Sequence, residues 1–78
     1  MTKEKIRELA EQAIRESHLT KRCQVSAVKR PPYESDPTWW IDVTDSNRHG
    51  IFQVLVTLAP KDTDESIKEK IKRQLQDG

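Results

Sequence analysis

Cys23, His18 and His49 are the side chains of this sequence that could act as soft metal ligands or as a thiol–imidazole pair. A zinc site needs three or four convergent nitrogen or sulfur ligands, and these three residues show none of the spacings that gather such groups. A cysteine nucleophile needs an exposed, activated thiolate. Cys23 instead opens a period-two run, Cys23, Val25 and Ala27 against Gln24, Ser26 and Val28, that turns its thiol toward a core. His49 lies among turn residues and reads as a solvated imidazole. Most carboxylates stand beside Lys or Arg on helical faces. Asp42 is the exception, mid-strand beside two tryptophans, with no second carboxylate for acid–base exchange. With two glycines in all there is no Gly-rich phosphate loop. The expectation is a protein that is not an enzyme and holds no metal or cofactor.

Chemistry of recognition is better represented. Trp39 and Trp40 are adjacent in a strand-like stretch, and successive strand side chains point to opposite faces. One indole must enter the core while the other stands on the far side of the sheet. Basic residues gather as Lys21 with Arg22, Lys29 with Arg30, and Arg48 with His49. Lys21, Arg22, Arg48 and His49 fall at one end of the expected sheet. A positive corner together with an aromatic platform is the minimal equipment for nucleic-acid contact.

The elements that must position these groups are legible in the periodicity. Ile6, Leu9, Ala10, Ala13, Ile14 and Ser17 recur at three-and-four spacing, which predicts an amphipathic helix capped by Thr2 and fading near His18. Strands are expected over 22–28, 38–44 and 51–58. Between the first two lies Arg30-Pro31-Pro32-Tyr33-Glu34-Ser35-Asp36-Pro37, where prolines forbid both helix and ladder. Asp45-Ser46-Asn47-Arg48-His49-Gly50 has turn chemistry, with Asn and Gly tolerant of positive φ. After Pro60, Asp62 and Glu65 are spaced like a capping pair for a second helix with the stripe Ile67, Ile71 and Leu75.

The whole chain bounds the rest. Seventy-eight residues make a single domain, 1–78, and such a domain buries only about 60% of its unfolded surface, too little for a deep cleft. The charged fraction is 35% but the net charge is +1, so there is no general attraction to polyanions. One cysteine permits no intrachain disulfide, which suits a reducing compartment. The charged N-terminus has no apolar core of a signal peptide, and no apolar run approaches the ~20 residues of a membrane span. A soluble, cytoplasmic setting without membrane contact is expected.

Short connections make the three strands an antiparallel meander. Two amphipathic helices on one face of it give a two-layer α+β domain of order helix–strand–strand–strand–helix. A hairpin about the 45–50 turn pairs Val43 with Phe52, Ile41 with Val54 and Trp39 with Val56 on the helix-covered face. The open face then pairs Thr44 with Ile51, Asp42 with Gln53 and Trp40 with Leu55. On the first strand the same alternation buries Cys23, Val25 and Ala27, placing Ser26 beside Trp40 and Gln24 beside Asp42. Two states of Trp40 remain open at this point: exposed, or covered by the 31–37 loop with Tyr33 lying across it.

This order of elements resembles the double-stranded RNA-binding domain over nearly the whole chain. The resemblance implies the fold alone. That family grips phosphate with lysines opening its last helix, where this chain has Asp62, Asp64 and Glu65, and with its first strand–strand loop, which here is acidic. No functional residue carries over.

The sequence thus points to a small non-enzymatic binding module meeting a protein partner, or a second copy as a homodimer, through the open sheet face. The expected site is Trp40, Leu55, Ile51, Gln53, Asp42 and Ser26, since a tryptophan ringed by polar groups is a recurrent binding anchor. The alternative is weak RNA or single-stranded nucleic-acid binding through Lys21, Arg22, Arg48 and His49 with Trp40 stacking. Two further possibilities are a C-terminal helix that leaves the domain to meet a partner and a Pro-rich loop that recognises through Tyr33.

Overall fold

A computed structural model describes residues 2–33, 35–47 and 50–76. Five elements follow one another: α1 (Lys3–Glu16), β1 (Cys23–Lys29), β2 (Thr38–Asp45), β3 (Gly50–Thr57) and α2 (Asp64–Gln76). The strands form one antiparallel sheet in the order β1-β2-β3, so the expected two-layer α+β architecture is the observed one. Both helices lie on one face. Ile6, Leu9, Ala13 and Ile14 of α1 and Ile67, Ile71 and Leu75 of α2 close over Trp39, Ile41, Val43, Val54 and Val56 of the sheet. α2 is therefore docked, its narrow stripe wholly consumed by the core.

The helix ends show why each begins and stops where it does. Thr2 caps α1, its Oγ1 accepting from Lys5 N–H at 3.1 Å. At the other end His18 takes φ 60, its N–H bonds to Arg15 O, and Leu19 N–H reaches back to Ile14 O. This is a Schellman closure with histidine where glycine is usual. The cap of α2 differs from the expected Asp62–Glu65 pair. Thr63 Oγ1 accepts from Ser66 N–H at 3.2 Å and Ser66 Oγ accepts from Thr63 N–H at 2.8 Å, a reciprocal box one residue later. Asp62, just outside, accepts from Ala59 N–H, Ser66 Oγ and Lys70 Nζ instead.

The β2–β3 ladder has the expected register throughout, from Thr38 opposite Thr57 to Asp45 opposite Gly50. Neither Asn47 nor Gly50 uses a positive φ in the turn, because His18 is the one non-glycine with positive φ among the described residues and no described glycine has one.

The β1–β2 ladder departs from simple alternation. Val25 faces Val43, but Ala27, not Ser26, faces Asp42, so Ser26 is an extra residue in a bulge. Beyond it the faces exchange. Val28 enters the core opposite Ile41, and Ala27 and Lys29 move to the open face opposite Asp42 and Trp40. Burial of Ala27 by the helices and the placement of Ser26 beside Trp40 are both corrected by this one inserted residue. Gln24 stands opposite Thr44 rather than Asp42.

Candidate functional site

The face that the helices leave uncovered is built as three cross-strand rows. Lys29, Trp40 and Leu55 form one, Ala27, Asp42 and Gln53 the next, and Gln24, Thr44 and Ile51 the third. Trp40 keeps 38% of its surface exposed, Leu55 46% and Ile51 59%. Five of the six expected site residues, Trp40, Leu55, Ile51, Gln53 and Asp42, therefore share this face. Ser26 is exposed in the bulge on β1, away from the Trp40 row.

The described residues of the 31–37 loop leave Trp40 38% exposed. Tyr33 is 72% exposed, and with Pro31, Pro32, Pro37 and Leu58 it borders a shallow groove against Trp39, the core indole. The loop is pinned by Asp36, whose Oδ1 accepts from Thr38 N–H at 2.9 Å.

Among the described residues Asp42 is the one carboxylate of this face, and it is buried. Its Oδ2 lies 3.3 Å from Lys29 Nζ, a diagonal pair created by the bulge, which carries Lys29 to this side. Its Oδ1 is buried and has no hydrogen-bond partner among the described residues. A buried acceptor left unmet costs about 1–3 kcal/mol, and this one is closed to solvent. Lys29 was absent from the expected site. The signal for it was Val28, whose apolar side chain fits the core better than Ala27 and so moves Lys29 outward.

The basic corner is only partly described. Arg48 and His49 lie outside the described residues. Lys21 is exposed, while Arg22 Nε sits 3.2 Å from Asp45 Oδ1, a carboxylate that is 3% exposed as a residue. The guanidinium charge is thus compensated within the fold. Cys23 is buried, and burial pushes its thiol up from the ordinary range, the opposite of activation. Among the described residues no three His, Cys, Asp or Glu side chains gather as a metal site. No helix of the described chain is long and apolar enough to cross a membrane. No protein-family model, no curated protein and no solved structure matches the chain.

Proposed function

We propose that this chain is a non-enzymatic binding module that meets a protein partner through the open sheet face centred on Trp40. The observation that carries this reading is the row Trp40–Leu55, two large apolar side chains left 38% and 46% exposed on a face that neither helix nor loop covers. The fitting partner lays an apolar side chain along that row, with Gln53, Thr44 and Lys29 as the polar margin. A desolvated tryptophan within a polar ring is where binding energy concentrates. The lone buried thiol suits a reducing, cytoplasmic setting.

The test compares Trp40→Ala with the parent in affinity capture from cell extract, followed by a titration with the captured protein. The variant keeps its fold and loses about 2 kcal/mol of affinity, roughly thirtyfold. Melting of the Trp40→Ala domain, or undiminished capture, overturns the reading. Labelled protein titrated with oligonucleotides at low salt examines the other class of partner. Shifts at the Trp40 indole and around Lys21 and Arg22 that vanish at high salt would put nucleic acid in the partner's place.

A further inference from the structure

Among the described residues, the outer edge of β3 is covered along only half its length. Lys70 Nζ donates to Thr57 O at 2.8 Å. One helical turn on, Gln74 Oε1 accepts from Leu55 N–H at 2.9 Å and Gln74 Nε2 donates to Leu55 O at 2.6 Å. The match is geometric: four residues of helix rise about 6 Å, and two residues of strand about 6.7 Å. α2 thus runs along the edge in step with it, and the Gln74 amide occupies the place of a neighbouring strand's peptide group. The described helix ends at Gln76, and among the described residues no side chain bonds to the next rung, at Gln53.

Because strand residues alternate, the groups of Gln53 and Ile51 point outward like those of Leu55. Among the described residues nothing donates to or accepts from this side of Ile51 and Gln53. Natural sheets blunt such an edge with charge, proline or a bulge. The β1 edge has all three nearby, in Ser26, Lys29 and Pro31. β3, Gly50–Thr57, carries no charged residue and no proline in a chain that is 35% charged.

We propose that a second copy of this chain adds to this edge, β3 against β3 in antiparallel pairing, with the twofold axis beside Phe52. In that register Ile51 of each copy faces Gln53 of the other and exchanges both backbone hydrogen bonds, four in all. Shifting the axis to Gln53 would set Ile51 against Leu55 and require Gln74 to let go. Shifting it to Ile51 would set Gln53 against the turn. The Phe52 register pairs the outward groups of Ile51 and Gln53 and sets neither of them against Leu55, whose groups Gln74 holds. The product is a continuous six-stranded sheet. This contact is separate from the Trp40 face and leaves it open.

Sedimentation equilibrium of the full chain from micromolar to millimolar concentration tests it, with hydrogen exchange as a local readout. Mass rises from the 9.1 kDa monomer toward twice that value, and the Ile51 and Gln53 amides exchange more slowly as the dimer fills. Gln53→Pro removes an outward donor while costing no β2–β3 bond. Gln53→Lys leaves the backbone intact and sets two ammonium groups near the axis, so it reports even if the proline variant fails to fold. Each variant that folds raises the dissociation constant at least ~tenfold, whereas Trp40→Ala leaves it unchanged. A monomer at every concentration, or a dimer broken by Trp40→Ala and indifferent to Gln53→Lys, overturns the proposal.

Discussion

Glu16 and Lys68 join the two helices across the layer, with Lys68 Nζ donating to Glu16 Oε2 at 2.8 Å, while Lys72 donates to Glu16 Oε1 at 2.7 Å. Lys68 is itself buried and also pairs with Glu65. One carboxylate therefore holds two ammonium groups of α2, and Lys5–Asp64 at 2.9 Å ties the other ends of the helices.

That arrangement sets an acid limit. Hydrogen bonds from Lys68 and then Lys72 hold Glu16 down at about 2, and those from Lys70, Ala59 N–H and Ser66 hold Asp62 at about 2. Both folded values lie below the ordinary 4.5 and 3.8, so the stability they contribute is complete above those values and is lost as pH falls toward 2. Urea midpoints measured downward from pH 6 fall through this window. Glu16→Gln lowers the midpoint at neutral pH and flattens the fall.

The two tryptophans should separate cleanly by substitution. Trp39 is core and 7% exposed, so Trp39→Ala costs about 3–5 kcal/mol and threatens the fold. Trp40→Ala removes a side chain on the open face and shifts the thermal midpoint far less. Equal losses from both substitutions would show Trp40 to be part of the folding core.

His18 occupies a left-handed position at the end of α1. Glycine adopts that conformation without the Cβ clash that costs an L-residue about 1–2 kcal/mol. His18→Gly therefore stabilises by about 1 kcal/mol, less some unfolded-state entropy, in equilibrium unfolding.

Gln74→Ala exposes the Leu55 peptide group to solvent. The Leu55 amide then exchanges much faster, while Val54 and Val56, whose groups face β2, keep their protection.

Cys23 reacts slowly with thiol reagents in the native state, because it is 2% exposed and its thiol is held up by burial. Its rate of labelling follows the opening of the domain and rises with urea.

Much of this was legible from residue order. Six apolar residues in period two fixed the β2–β3 register, since any one-residue slip would bury Asp42 and Gln53 on the helix face. β1 was not, because Val25, Ala27 and Val28 offer apolar residues to either face, and alternation cannot announce where an extra residue enters. The cap of α2 was displaced by one because Asp62 and Thr63 are adjacent and equally able to cap. Exposure of Trp40 depended on where a three-proline loop settles, and the loop settled against Trp39. The Gln74–Leu55 contact had no local signature, since it joins residues whose distance is set by how α2 docks.

Ser26 has a consequence for how β1 can change length. It pairs with nothing on β2, and the residues on either side are already in the register that an unbroken strand would have. Losing Ser26 would leave Val25 opposite Val43, Ala27 opposite Asp42 and Val28 opposite Ile41. Losing Gln24 would invert the start of the strand, sending Val25 outward and Ser26 into the core. The inside–outside pattern of β1 behaves as a reading frame, and Ser26 is a letter that can be dropped without shifting it.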